Sequence, residues 1–141
     1  MKILFVCTGN TCRSPMAEAL AQNFLADKGS FQCDSAGIYA VPGQKIAANA
    51  VEILKEYGIQ NFQHEAKKCT KEMIDENDLI ITVTENHRAL LCQLFGNEQK
   101  IRTLPENVGD PFGGDLNTYR ATSNAILSGI KKLFEEGLFN A

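Results

Sequence analysis

Lys2-Ile3-Leu4-Phe5-Val6-Cys7 is an almost unbroken apolar run that gives way to the small and polar residues Thr8-Gly9-Asn10-Thr11-Cys12-Arg13, and then to Ser14-Pro15-Met16-Ala17 at the head of a helical pattern. A short apolar run without alternation marks a strand buried on both faces of a parallel sheet, and such a strand needs helices on both sides to cover it. Ser14 and Pro15 suit the N-cap and first-turn positions of the helix that follows. Met16, Leu20 and Phe24 recur every four residues among helix-favouring alanines, so the spacing predicts a helix that ends near Gly29. The intervening loop is thereby placed at the carboxyl end of the first strand, where open α/β sheets bind ligands.

The rest of the chain alternates in the same way. Residues 31–36 suit a second strand, and Pro42-Gly43 marks a turn in the loop 37–44. Ala47, Ala50, Val51, Leu54 and Tyr57 form a helical stripe that stops at Gly58, and Thr70 is placed to cap a short helix through Met73 and Ile74. Residues 79–83 form a plain buried strand, 85–95 a helix stopped by Gly96, and 101–104 a short last strand. Residues 105–117 are rich in Gly, Pro, Asp and Asn, the composition of a long surface loop, and such loops in compact domains are usually functional. A final helix is expected from Asn117 or Thr118, with Ala121, Ala125, Ile126 and Ile130 on its buried face. Alternating strands and helices argue one doubly wound α/β domain over residues 1–141, a three-layer arrangement with about four parallel strands.

The loop after the first strand carries the chemistry. Successive backbone N–H groups of a small-residue loop form an anion-binding nest, and the helix behind adds its positive end, so the segment Cys7–Arg13 suits a tetrahedral oxyanion. Cys7 lies in the floor of that cradle. The helix end, the nest and Arg13 all favour its thiolate, which can attack phosphorus and leave a phosphocysteine. Arg13 offers a planar fork of donors to two equatorial oxygens of a phosphoryl group, and a bound anion explains a cation at a helix start, where the dipole otherwise disfavours one. Thr8, Gly9, Asn10, Thr11 and Cys12 would line the bound group. Gly9 and Asn10 suit a positive φ or a side chain that ties down the loop, and the Ser14 hydroxyl can both cap the helix and donate to the Cys7 sulfur. Cys12 leaves two readings open, a filler residue and a partner for Cys7 in a protective disulfide under oxidation.

Breaking the bond to a leaving group needs a proton, so a carboxylic acid should stand above the cradle. Asp110, in Gly109-Asp110-Pro111-Phe112-Gly113-Gly114, is the best candidate: Pro111 biases it to an extended backbone, and the glycines let the loop approach the pocket. Asp115 is its nearest rival.

Composition narrows the remaining classes. A chain of 141 residues and net charge −3 has no basic footprint for nucleic acid and no Lys/Arg run for a membrane surface. The segment Met1–Val6 is too short for a signal peptide or a membrane span, so a cytoplasmic location and a monomer are the default expectations. Five cysteines, an odd number with irregular spacing, argue reduced thiols rather than a disulfide framework, with Cys33, Cys69 and Cys92 inert. His64 and His87 have no Cys or carboxylate at ligand spacing, so no metal is expected.

The pattern Val6-Cys7 with Arg13-Ser14-Pro15 six positions on, Asp34-Ser35-Ala36-Gly37 after the second strand and Asp110-Pro111 in a late loop resembles the low-molecular-weight protein tyrosine phosphatase family over nearly the whole chain. The resemblance implies a four-stranded parallel sheet flanked by helices and no metal or cofactor. It also implies Cys7 as nucleophile, Arg13 as phosphate binder, Asp110 as general acid, and Asn10, Ser14 and Ser35 as residues that shape the loop. Phosphorylated proteins would be the substrates and inorganic phosphate the product.

Within that family, Thr11 departs from the aliphatic residue typical of tyrosine-specific members, and of the aromatic walls for a phenol ring only Tyr39 is nearby. The string 7–20 together with 110–114 is more similar to the bacterial protein arginine phosphatases, in which the loop threonine is associated with phosphoarginine selectivity. Phe112 could pack on a flat guanidinium. The expected activity is therefore phosphoarginine hydrolysis, with phosphotyrosine hydrolysis as the alternative. An arsenate reductase shares the cradle but needs relay cysteines near it, and no cysteine follows Cys92. A module that only holds phosphoprotein would not need both Cys7 and Asp110.

Overall fold

A computed structural model describes residues 1–106 and 108–139. Four strands, β1 (Lys2–Cys7), β2 (Gln32–Gly37), β3 (Leu79–Thr82) and β4 (Ile101–Thr103), form one parallel sheet in the order β2-β1-β3-β4. Among the described residues five α-helices connect and follow them, two of them between β2 and β3: α1 (Arg13–Leu25), α2 (Ala48–Glu56), α3 (Lys71–Glu76), α4 (Glu85–Phe95) and α5 (Leu116–Glu135). The chain leaves β1 toward one side for β2 and returns to the other side for β3. The crevice between the carboxyl ends of β1 and β3 is thus the topological switch point at which such sheets bind ligands.

The apolar run of β1 is buried on both faces, as its lack of alternation predicts. Ile3, Phe5 and Cys7 join Met16, Leu20, Leu25, Ile53, Leu54, Ile126 and Ile130 in the core beneath α1, α2 and α5. Leu4 and Val6 pack with Ile74, Ile80, Leu91 and Ile101 beneath α3 and α4. Each such side chain contributes about 1.5–3 kcal/mol when fully buried. The position of β1 in mid-sheet therefore fixes the loop that follows it against both layers.

The ends of β2, β3 and β4 shift by one residue from expectation, and three helix boundaries differ, each for a local reason. Ser14 does not cap α1: the helix begins two residues earlier than expected, at Arg13, Cys12 occupies the cap position without a side-chain bond, and the Ser14 hydroxyl is drawn under the preceding loop. The same helix stops at Leu25 rather than near Gly29, because Ala26 and Lys28 close onto the Asn23 and Leu25 carbonyls at 3.4 and 3.0 Å. In α5 the start is Leu116, capped by Asp115, whose Oδ1 accepts the Thr118 backbone N–H at 2.9 Å. Thr70 caps α3 as expected, and Thr84 caps α4. A short 3₁₀ turn over Glu98–Lys100, unannounced by any periodicity, leads into β4. Asn107 in the long loop, and Asn140 and Ala141 in the expected domain, lie outside the described residues.

Candidate active site

The loop between β1 and α1 closes on itself around the Cys7 sulfur. Sγ lies 2.8 Å from Ser14 Oγ and accepts the Asn10 backbone N–H at 3.3 Å. Asn10 adopts a left-handed backbone, φ 57°, which a short polar side chain tolerates when it bonds locally. Its amide does so three times: Nδ2 donates to Ser14 Oγ at 2.8 Å and to Ser35 Oγ at 3.0 Å, and Oδ1 accepts the Lys67 backbone N–H at 3.0 Å. Ser14, Ser35 and Asn10 are wholly buried. Ser14 thus lies beneath the sulfur rather than in the lining of the pocket.

The Asp34–Gly37 segment now has a physical role. A Cβ at Gly37 would stand 2.6 Å from the Thr8 carbonyl and 2.9 Å from the Asn10 nitrogen, so only glycine lets β2 support the loop backbone this closely. Ile38 and Tyr39 donate their backbone N–H groups to the Cys7 and Thr8 carbonyls, each at 2.9 Å. The Cys7 and Thr8 carbonyls are thereby engaged by the backbone that follows β2.

Above the sulfur is a pocket of about 210 Å³ lined by all seven residues from Cys7 to Arg13 together with Gln44, Asp110 and Phe112. Arg13 is buried, and its Nη1 donates to the Val108 carbonyl at 3.3 Å. Its Nη2 stands 4.0 Å from the Asp110 carboxylate, whose side chain is 59% exposed. Asp110 Oδ1 also accepts the Phe112 backbone N–H at 3.1 Å, and Phe112 is 78% exposed on the rim. Asp115 caps α5, and the bonds it accepts from Thr118 hold its pKa below the ordinary carboxylate value. The two candidate acids are therefore in different situations, one on the pocket and one engaged in a helix start.

The other thiols differ from Cys7 in setting. Burial pushes Cys33 up to about 12 and Cys69 up to about 11, which disfavours a thiolate at either. Cys12 Sγ lies 3.3 Å from the Tyr119 hydroxyl, and all five cysteines are free thiols. Among the described residues, no group of three or more His, Cys, Asp or Glu side chains is arranged to hold a metal ion.

Three pocket neighbours escaped the sequence. Gln44 reaches the lining from an ordinary-looking turn. His64 places Nε2 2.8 Å from the Asn10 carbonyl, and His87 places Nε2 2.8 Å from Thr8 Oγ1. Neither histidine has sequence neighbours that signal a site, because each meets the loop across more than fifty residues.

The sequence profile of the low molecular weight phosphotyrosine protein phosphatases matches residues 2–138. The chain belongs to this family. It is 38% identical over 139 residues to the low molecular weight protein-tyrosine-phosphatase PtpB of Staphylococcus haemolyticus, covering 94% of this chain and 97% of that one. It is 37% identical over 145 residues to the protein-arginine-phosphatase of Bacillus subtilis, covering 96% of each. Among solved structures, the YwlE arginine phosphatase, as a mutant with a phosphorylated active site serine, superposes with a TM-score of 0.90 at 35% identity, covering 99% of this chain and 97% of that one. Membership makes the chain a cysteine-based phosphatase with phosphorylated protein as substrate and phosphate as product. No helix among the described residues is long and apolar enough to cross a membrane.

Proposed function

We propose that this chain is a cytoplasmic, monomeric protein arginine phosphatase, a single catalytic domain over residues 1–141, and that Cys7, Arg13 and Asp110 carry the reaction. The observation that carries the reading is the convergence of Cys7, Arg13 and Asp110 on one pocket, with Arg13 Nη2 4.0 Å from the Asp110 carboxylate. The phosphoryl oxygens sit in the nest formed by Thr8–Arg13, and Arg13 spans two of them, where negative charge is held throughout the transfer. The Cys7 thiolate attacks phosphorus in line. The P–N bond breaks as the protonated Asp110 carboxyl gives its proton to the departing nitrogen, so that arginine leaves as its guanidinium and a phosphocysteine and the Asp110 carboxylate remain. Water then attacks phosphorus and loses its proton to the Asp110 carboxylate. The P–S bond breaks, and phosphate and the thiolate are restored.

Thr11 supports phosphoarginine as the substrate. Its side chain lines the pocket, and a hydroxyl there suits a polar guanidinium better than the face of a phenol ring. Phe112, exposed on the rim beside Asp110, offers a surface on which a planar guanidinium can lie. Phosphotyrosine is the second reading, favoured by the resemblance to PtpB. One hydroxyl-for-methyl exchange is worth roughly 1–3 kcal/mol of discrimination, so some turnover of phosphotyrosine is expected beside the preferred substrate.

The test is side-by-side turnover of a phosphoarginine and a phosphotyrosine peptide by the wild type, Thr11→Ile and Cys7→Ser. Thr11→Ile should lower the arginine-to-tyrosine ratio by about tenfold, and Cys7→Ser should abolish both activities. An unchanged ratio removes Thr11 as the selectivity determinant, and continued turnover by Cys7→Ser removes Cys7 as the nucleophile.

A further inference from the structure

His87 lies in the first turn of α4, behind β3, yet its ring reaches across the switch point to the loop behind β1. Nε2 is 2.8 Å from Thr8 Oγ1, and Nδ1 is 2.5 Å from Oγ1 of Thr84, the N-cap of the same helix. Thr8 lines the phosphate pocket. A side chain that joins two loops across the crevice, while touching a pocket residue, is in a position to orient that residue.

The direction of the chain of bonds follows from donor and acceptor counts. Burial, and secondarily the Arg13 charge, lower the His87 pKa to about 4, so the ring is neutral at ordinary pH and carries a single proton. Thr84 Oγ1 accepts the His87 backbone N–H at 3.3 Å as helix cap, and among the described residues Nδ1 is the one acceptor within reach of its own hydrogen, so the arrangement that satisfies both has Thr84 donating to Nδ1. The ring proton then sits on Nε2 and is donated to Thr8 Oγ1. Thr8, acting as acceptor toward the histidine, keeps its hydroxyl proton for the pocket. With the opposite tautomer, Thr8 would spend that proton on Nε2 and present only lone pairs to an anion.

We propose that His87 is a positioning residue of the phosphate cradle, which relays a hydrogen-bond direction from the α4 cap to Thr8 and so aims the Thr8 hydroxyl proton at an oxygen of the bound phosphoryl group. The proposal rests on the cradle function argued above. It adds a donor to the nest that comes from a side chain rather than the backbone, and it ties the orientation of that donor to the start of a helix on the far side of the crevice.

Two isosteric amides separate this role from support of the helix start. His87→Asn places an amide near Nδ1, where it can still bond Thr84 but cannot reach Thr8. His87→Gln places an amide N–H near Nε2, where it can serve Thr8. Competitive inhibition by inorganic phosphate, measured beside kcat, KM and the thermal midpoint, is the readout. His87→Asn and His87→Ala should each weaken phosphate inhibition about fivefold to tenfold, and His87→Gln should recover most of it. Thr8→Val should show the same loss, and the double variant Thr8→Val/His87→Ala no further loss, because the two residues act through one bond. Losses that multiply in the double variant, rescue by Asn rather than Gln, or phosphate inhibition unchanged in both His87→Ala and His87→Asn would overturn the proposal. A wild-type chain that neither turns over phosphopeptide nor binds phosphate would overturn the cradle function itself, a distinct outcome.

Discussion

The two halves of the pocket are built in opposite ways. The cradle, from Cys7 to Ser14, is set in mid-sheet between two apolar cores. Its left-handed Asn10 is fixed by three side-chain bonds, and Gly37 of β2 lies close against its backbone. The acid loop lies on the surface. Asp110 and Phe112 are largely exposed, and the loop is held by scattered side-chain contacts: Arg13 to the Val108 carbonyl and to Asp110, Ser128 and Lys132 to Glu106, and Asn49 Nδ2 to the Gly114 carbonyl at 3.1 Å. A tetrahedral dianion needs many donors in fixed places, which calls for a rigid and over-determined floor. A proton donor must let a bulky leaving group enter and depart, which calls for an open wall.

The largest change in turnover is expected from the open wall. Asp110→Asn keeps the Asx-type bond to Phe112 but removes the proton, and should slow turnover by about 10²- to 10⁴-fold, most for leaving groups that need protonation, with phosphate inhibition little changed. Rates measured on a series of aryl phosphates of graded leaving-group ability check it. A uniform loss across the series would assign Asp110 to binding, and a larger loss from Asp115→Asn would move the acid to the helix cap.

The rigid floor was also the more legible half in the sequence. A buried strand, a small-residue loop and a helix start are successive in the chain, so the loop that lines the pocket, Cys7 and Arg13 included, could be placed from spacing alone. Asp110 could be placed only because Pro111 and two glycines mark its loop. Gln44, His64 and His87 could not, since what brings them to the pocket is the sheet order, which no local periodicity encodes. Ser14 was ambiguous for a different reason: a serine before Pro15 has the chemistry of an N-cap, and only the sulfur 2.8 Å away decides that its hydroxyl goes elsewhere. Asp115 is the converse case: a candidate acid whose carboxylate accepts the Thr118 backbone N–H as a helix cap.

A smaller effect comes from beneath the floor. Glu18 accepts the Ser35 hydroxyl at 2.7 Å, and Ser35 in turn accepts from Asn10. Burial pushes its pKa from 4.5 up to about 7, with Asp34 adding to the rise and the Ser35 bond and Lys67 opposing it. Because the folded pKa is the higher, its contribution to stability is complete below pH 4.5. That contribution falls as the pH rises toward 7, by about 3 kcal/mol at most, and is flat above. His64 and His87, lowered by burial, act in the opposite sense, since their contribution is lost as the pH falls. The difference between wild type and Glu18→Gln in urea unfolding at pH 5 and pH 7.5 therefore isolates Glu18. The wild type should lose stability relative to the variant between the two, and a constant difference would mean that Glu18 is ionised at both.

The smallest effect is expected where the acid loop meets α5. Asp115 Oδ1 accepts both the backbone N–H and the hydroxyl of Thr118, each at 2.9 Å, and this cap anchors the end of the loop at the start of α5. Asp115→Ala should lower the unfolding free energy by about 1 kcal/mol. If the cap also fixes the placement of Asp110, the variant should further reduce turnover of poor leaving groups while leaving phosphate inhibition alone, which would mimic Asp110→Asn on a smaller scale. Asp115→Asn, which can still cap, should restore both properties. A loss of phosphate inhibition in Asp115→Ala would mean that the open wall and the rigid floor are mechanically joined through Arg13, the residue that touches both.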